Sequence, residues 1–159
     1  MKIMIVSDTH GKNENLEQAL EREQPIDRLI HLGDAAGCED YIEVIAGCPL
    51  DIVYGNNDFG SRLNGEEVVE VEGIRIFVTH GHYYYVNFGT TDLVNAAKAK
   101  DCRVALYGHT HVPMIEHDKD VLVMNPGSLT YPRQEGKRPS YIVMHILPNH
   151  KIDYEIKFL

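Results

Sequence analysis

Nothing in this 159-residue chain is apolar for long enough to cross a bilayer as a helix, which takes about 20 such residues. Cysteine is sparse: Cys38, Cys48 and Cys102 form no CxxC pair. An odd count of this kind argues against a disulfide framework and for reduced thiols in a cytoplasmic protein. No block of Lys and Arg stands out, and the formal net charge is −9. A broad basic footprint for duplex nucleic acid is therefore not expected. Small phosphate esters remain open as ligands, because a bound metal supplies its own positive charge. Met1-Lys2 runs straight into Ile3-Met4-Ile5-Val6, so no signal peptide is expected. There is no internal repeat, linker or low-complexity tract, so one domain over 1–159 is expected, long enough for a sizeable core.

What is present is a regular alternation of strand-like and helix-like stretches. Lys2 to Ser7 is a continuous apolar run, as in a strand covered on both faces. Leu16, Ala19 and Leu20 recur at helical spacing between Asn13 and Glu23, with Asn13 placed to cap and Pro25 to terminate. Arg28 to Leu32 is a second strand and Leu50 to Tyr54 a third. Between them Glu39 to Ala46 is a short helix with Tyr41, Ile42 and Ile45 inward. This β-α-β-α-β order implies right-handed crossovers and a parallel sheet. Further on, Glu67 to Glu72 and Ile74 to Thr79 form a hairpin turning at Gly73, and a helix capped by Thr90 or Thr91 runs to Lys100. Arg103 to Tyr107 is a strand. Met114 to His117 and Val121 to Met124 form a hairpin around Asp118-Lys119-Asp120, and Tyr141 to Leu147 pairs with Lys151 to Lys157. The sum is a mixed parallel and antiparallel α/β core, two sheets face to face with helices outside.

The chemistry is concentrated in short polar motifs, each placed just after a strand. Tyr107-Gly108-His109-Thr110-His111 follows one apolar run and Asp8-Thr9-His10 another; Gly33-Asp34, Gly55-Asn56 and Thr79-His80-Gly81 follow three more. In extended backbone, residues two apart project to one side, roughly 6–7 Å apart, so an HxH or DxH pair can grip metal. Asp8, His10, Asp34, Asn56, His80, His109 and His111 all sit where ligands gather in α/β sheets, outside the carboxyl ends of strands. Two carboxylates, four imidazoles and one amide are more donors than a single ion needs. They suit two ions that share a carboxylate, about 3.5–4 Å apart with a hydroxide between them.

The ordered set DxH, GD, GN, THGH and GHTH resembles the calcineurin-like metallophosphoesterase superfamily. The short length and the Asn125-Pro126-Gly127-Ser128 turn resemble its small single-domain phosphodiesterase branch of the YfcE type. The resemblance runs from Asp8 to Ser128. It implies a four-layer α/β/β/α sandwich. It also implies one ion on Asp8, His10, Asp34 and His111, and a second on Asp34, Asn56, His80 and His109, with Asp34 as the bridge. The expected activity is that of a cytoplasmic phosphodiesterase that attacks phosphorus with a metal-bridging hydroxide. Nitrogen and carboxylate donors suit Mn, Fe, Ni, Zn or Co as the divalent pair, with manganese placed first. The expected partner is a small phosphodiester or nucleotide-type substrate, with no membrane and with self-association into a homo-oligomer open. The alternative is an idle scaffold of the same fold that binds protein partners.

The chain departs from larger members of that superfamily. Gly33-Asp34 continues as Ala35-Ala36-Gly37 rather than to a second Asp and an Arg. In Gly55-Asn56-Asn57-Asp58, Asn57 stands where those members carry a His that protonates the leaving group. Candidate catalytic residues are accordingly Asn57, Asp58 and His82, which lies two beyond His80 and shares its loop. For His31 a buried, hydrogen-bonded role outweighs ligation. Tyr83-Tyr84-Tyr85 can stack a nucleobase, although packing is the favoured reading. Arg133 is a candidate phosphate clamp, against the commoner fate of a surface arginine.

Overall fold

The computed structural model describes residues 1–118 and 120–159. In chain order the elements are β1 (Lys2–Val6), α1 (Glu14–Glu23), β2 (Arg28–His31), α2 (Glu39–Ala46), β3 (Leu50–Ile52), β4 (Glu66–Val71) and β5 (Ile74–Thr79). Two 3₁₀ turns follow at His82–Tyr84 and Val86–Phe88. Then come α3 (Thr91–Ala99), β6 (Val104–Leu106), β7 (Pro113–Asp118), β8 (Val121–Pro126), β9 (Ser140–Ile146) and β10 (Ile152–Phe158). They build two five-stranded mixed sheets, ordered β10-β9-β1-β2-β3 and β4-β5-β6-β8-β7. In the first, β1, β2 and β3 pair in parallel up to one edge while β9 and β10 pair antiparallel; in the second, the central β5, β6 and β8 pair in parallel and β4 and β7 pair antiparallel at the edges.

Side-chain alternation along the strands sorts the core into three layers. Ile3 and Ile5 of β1, Ile30 of β2, Ile76 and Val78 of β5 and Val104 and Leu106 of β6 meet between the sheets. The intervening Met4, Val6 and Leu29 face outward onto Leu16, Ala19 and Leu20 of α1 and Ile42 of α2. On the far side Phe77, Ala105 and Val123 face Leu93, Val94 and Ala97 of α3. The layers are thus α/β/β/α, as the resemblance implies.

Local readings differ from the structure at a few points. Asn13 occupies the residue before α1 but its side chain makes no capping bond. Thr90 is likewise at the start of α3, yet its hydroxyl donates to Glu116 of β7 instead. Tyr41 faces solvent rather than the core, because α2 seats only Ile42 and Ala46 fully and the phenol reaches out to Glu17. Cys38 and Cys48 pack as small apolar groups against the layer under α1 and α2. The expected turn at Asp118-Lys119-Asp120 includes Lys119, which lies outside the described residues; the strands on either side pair in register, Asp118 with Val121.

One buried ion cluster joins the first sheet to α1. The Glu23 carboxylate is 3.0 Å from both Lys2 Nζ and Lys157 Nζ and accepts from the Tyr141 hydroxyl. Burial raises the Glu23 pKa, but hydrogen bonds from Lys157, Lys2 and Tyr141 outweigh it and hold the carboxyl below its ordinary value. A depressed folded-state pKa contributes stability above the unfolded value, lost as pH falls through the folded one. Removing one partner of a fully buried pair costs roughly 3–5 kcal/mol, and because both lysines keep access to water, Glu23→Ala should cost about 2 kcal/mol. Urea unfolding at pH 7 measures this. Repeated at falling pH, the gap between Glu23→Ala and wild type should begin to narrow below the ordinary carboxyl value and close as pH passes the depressed folded-state one.

Candidate metal centre

The seven candidate ligands converge at one end of the sandwich, beyond the carboxyl ends of β1, β2, β3, β5 and β6. Asp8 and His10 follow β1, Asp34 follows β2 and Asn56 follows β3; His80 follows β5, and His109 and His111 follow β6. The DxH and HxH pairs are not extended, as the spacing suggested. Asp8, His10, Asp34, His109 and His111 all lie in the left-handed region, with φ of 58°, 48°, 57°, 68° and 60°. Non-glycine residues held there cost of order 1 kcal/mol or more each and persist where the surrounding structure over-determines them.

The surrounding structure is a net of hydrogen bonds between the loops. Asp8 N–H donates to Gly33 O at 3.1 Å, His10 N–H to Asp34 O at 2.8 Å and Gly108 N–H to His80 O at 3.0 Å. Asp58 accepts three backbone N–H groups at 2.7 Å, from Asp34, Gly55 and Ala36, and so joins the loop after β2 to the loop after β3. The Asn125–Ser128 turn braces the opposite side. Asn125 Nδ2 donates to Gly108 O at 2.9 Å and Ser128 Oγ to Asp8 O at 2.9 Å. Two glycines are needed for closeness. A Cβ on Gly55 would overlap the Asp34 carboxylate, and one on Gly108 would overlap the Ser7 hydroxyl.

Two groups of donor atoms result. Asp8, His10 and His111 form one, and Asp8, Asp34 and His80 form the other. Asp8 Oδ1 is 2.9 Å from His111 Nε2, 3.7 Å from His10 Nε2 and 4.0 Å from His80 Nε2. Asp34 Oδ2 is 3.7 Å from His10 Nε2 and 3.5 Å from His80 Nε2. Both carboxylates therefore lie between the histidine sets. Asn56 Oδ1 extends the second group, 3.1 Å from His80 Nε2 and 2.8 Å from His109 Nδ1.

This donor set fits metal. Asp8 Oδ1 is buried and has no hydrogen-bond partner, while Oδ2 accepts from Ser7 Oγ at 2.6 Å and from the His109 N–H. A buried carboxylate oxygen left alone is costly unless a cation meets it. The His10 and His111 Nε2 atoms face each other at 3.4 Å. His80 and His111 each turn Nδ1 to a backbone carbonyl, Leu32 O and Tyr131 O, both at 2.7 Å, which aims Nε2 inward. Such outer hydrogen bonds fix the tautomer and orientation of a ligating imidazole.

Ionisation states agree. Burial raises the Asp8 pKa, but contacts with His10 and His111 outweigh it and hold the group well below the carboxylate range. The neighbouring Asp8 carboxylate raises His10. Burial, then the neighbouring His80, lowers His109. His31 is fully buried between Thr9 Oγ1, at 3.1 Å, and the Gly33 N–H, and burial pushes it down to about 4, a neutral bracing role as read from its position.

The three candidate catalytic residues are near but do not share one placement. Asn57 bonds both oxygens of Asp34, through its N–H at 2.8 Å and Nδ2 at 2.6 Å. Asp58 has both oxygens occupied by backbone N–H groups and faces the loops. The His82 ring lies 5.4 Å from His80 and 6.2 Å from His109, with Nδ1 buried and unpartnered. Burial and then His80 and His109 push His82 down to about 4. Tyr84 packs edge-on against Phe77, whereas Tyr83 and Tyr85 are exposed. Arg133 is exposed; its backbone N–H donates to His111 O at 3.0 Å. Among the described residues no Lys or Arg side chain bonds any of the seven candidates. Sequence reasoning missed Ser7, Asn87 (whose Nδ2 is 3.0 Å from His109 Nε2) and the carbonyls of Leu32 and Tyr131. A backbone carbonyl leaves no signal in a sequence.

Comparison with known proteins agrees with this geometry. The calcineurin-like phosphoesterase superfamily domain matches residues 1–148. A probable metallophosphoesterase of Mycoplasma pneumoniae is 32% identical over 99% of this chain and 97% of its own length. Phosphodiesterase MJ0936 of Methanocaldococcus jannaschii is 35% identical over 80% of this chain and 83% of that protein. Phosphodiesterase YfcE of Escherichia coli is 30% identical over 89% and 85%. Among solved structures, a predicted phosphoesterase from Streptococcus pneumoniae superposes with a TM-score of 0.79 at 25% identity, over 99% of this chain and 97% of that one. Vps29 of Entamoeba histolytica, crystallised with zinc, shares the fold with a TM-score of 0.78 at 20% identity, over 99% of each chain. The chain belongs to the calcineurin-like phosphoesterase superfamily.

Proposed function

We propose that this protein is a dinuclear metal-dependent phosphodiesterase, a single domain over 1–159 working in the cytoplasm on a small phosphodiester or nucleotide-type substrate. The observation that carries the reading is the pair of Asp/His groups meeting at the unpartnered Asp8 Oδ1. One ion would be held by Asp8, His10, Asp34 and His111, the other by Asp34, Asn56, His80 and His109. Asp34 is assigned the bridge as the family resemblance implies; its Oδ2 stands 3.7 and 3.5 Å from His10 and His80, and Asp8 Oδ1 stands between the same two rings at 3.7 and 4.0 Å. Manganese is placed first among the metals such donors suit. When bound, the ions supply Lewis acidity toward the phosphoryl oxygens and lower the pKa of water enough to give hydroxide near neutral pH.

The residues of the chain do the rest. Asn57 holds Asp34 by two hydrogen bonds and so orients it, and Asp58 holds the loops that carry Asp34 and Asn56. An amide donates a hydrogen bond but delivers no proton near neutral pH. His82, neutral by its burial and turned toward Tyr83, also supplies none. The leaving oxygen departs without a general acid. Two divalent ions on two carboxylates keep a small positive excess, which suits a diester monoanion; a dianionic monoester would want further cations, and among the described residues no lysine or arginine side chain bonds the seven candidates. The scaffold alternative would tolerate loss of ligands, and all seven stand at the site.

Purified protein should carry close to two transition-metal ions per chain. Elemental analysis should show Asp34→Asn depleted at both sites and His111→Ala mainly at one; full occupancy in Asp34→Asn would remove the bridge assignment. With a generic aryl phosphodiester as substrate, metal-loaded protein should turn over, and no turnover at full occupancy would favour the scaffold. Diesters should be hydrolysed at least as well as monoesters of equal leaving group. General acid catalysis is typically worth about 10²–10⁴-fold, so rates should fall steeply as the leaving-group pKa rises. His82→Ala should leave that slope unchanged, whereas a steeper slope would identify His82 as the acid.

A further inference from the structure

Beside the metal centre a chain of rings continues outward. The His82 ring, next to His80 and His109, lies 4.0 Å from the Tyr83 ring at a tilt of 39°. Tyr83 meets Tyr54 edge-on at 6.4 Å, and the Tyr54 hydroxyl donates to the Tyr83 hydroxyl at 3.2 Å. These rings and Phe59 line a cavity of about 300 Å³ whose other wall is Asn56 and Asp58. Phe59 is 89% exposed and Tyr83 62%. A phenyl ring so open to water, at the mouth of a concave site, is the informative kind of exposed apolar group.

We propose that Tyr54, Phe59 and Tyr83 form a subsite for a planar aromatic substituent, aryl or nucleobase, of a phosphate ester held at the metal centre. The proposal rests on the phosphoesterase reading of that centre and names its substrate class. Continuity argues for it. Asn56 belongs both to the donor set and to the cavity wall, so a phosphoryl group at the centre places its ester substituent at the cavity. The chemistry of the lining argues for a neutral ring. Among the described residues no lysine or arginine lines this cavity, whereas Arg62 lines an adjoining one of about 580 Å³ that shares Asp58 and Phe59 with it. A second phosphate would find no cation here, and a small alkyl group would leave the rings wet. Flat rings set edge-on and offset accept a further ring by stacking. Stacking on aromatic side chains carries no demand for one base, since every base offers a π-face.

Calorimetric binding to metal-loaded protein tests this without requiring turnover. The probes are methyl phosphate against phenyl phosphate, and ribose 5-phosphate against adenosine 5′-phosphate. Stacking predicts about a tenfold tighter binding of the aromatic member in wild type. Phe59→Ala and Tyr83→Ala should reduce that ratio toward one. Tyr85→Ala, which removes an exposed tyrosine outside the cavity, should retain it. A preference for phenyl alone assigns an aryl ester, and a preference for adenosine alone assigns a nucleobase. Equal affinities within both pairs in wild type, or a preference that survives Phe59→Ala and Tyr83→Ala together, would overturn the subsite. So would a wild-type dimer that Phe59→Ala dissociates with no ring preference in either, since the rings would then belong to a contact between copies. Ring preference without hydrolysis of any phosphodiester would instead leave the subsite standing and remove the phosphodiesterase reading.

Discussion

The Asp8 carboxylate sets the terms for the rest of the site. It is fully buried at the end of the first strand, with one oxygen satisfied by Ser7 and the His109 N–H and the other without a hydrogen bond. An ionised group in such a place is expensive unless opposite charge or donors converge on it. Here three imidazoles stand within 4.0 Å, and they depress its pKa despite burial. The fold places Asp8 there because β1 is the central strand of its sheet, flanked by β2 and β9. The oxygen thus emerges where loops from both sheets can reach it.

Holding that arrangement requires backbone that no propensity favours. Five of the seven candidate ligands have positive φ, and none is glycine. The loops accept this because each is tied to another: β1 to β2 through Asp8 and His10, β5 to β6 through Gly108, β2 to β3 through Asp58. Asp58 deserves to be read as a brace, since its two oxygens already accept three backbone N–H groups. Asn57 acts one step nearer, on Asp34 itself. The residues that the sequence offers as candidates for chemistry thereby divide by what they touch.

Much of the fold was legible in residue spacing. The continuous apolar run at Ile3–Val6 marks a strand buried on both faces, and the structure covers both faces of it; Val104–Leu106, read as part of a strand, is buried too. Leu93 and Val94, with Ala97 one helical turn on, are the buried face of α3. The readings that missed were those in which a side chain had a choice of partner. Thr90 prefers Glu116 over its own helix, and Tyr41 prefers Glu17 over the core. Such preferences depend on neighbours distant in sequence.

The sequence by itself determined which residue types stand at the ends of the parallel strands, because a strand run followed by Asp, His or Asn is a local pattern. It thereby determined the chemical class of the centre. Tertiary structure decided the geometry. It split the His109-Thr110-His111 pair, sending His109 to Asn56 and His111 to Asp8. It took both pairs out of extended backbone, and it brought Tyr54, Phe59 and Tyr83 to one cavity from separate segments. The reason is physical. Donor identity is carried by single residues, whereas distances of 3–4 Å between loops follow from how two sheets pack and which backbone groups they bond.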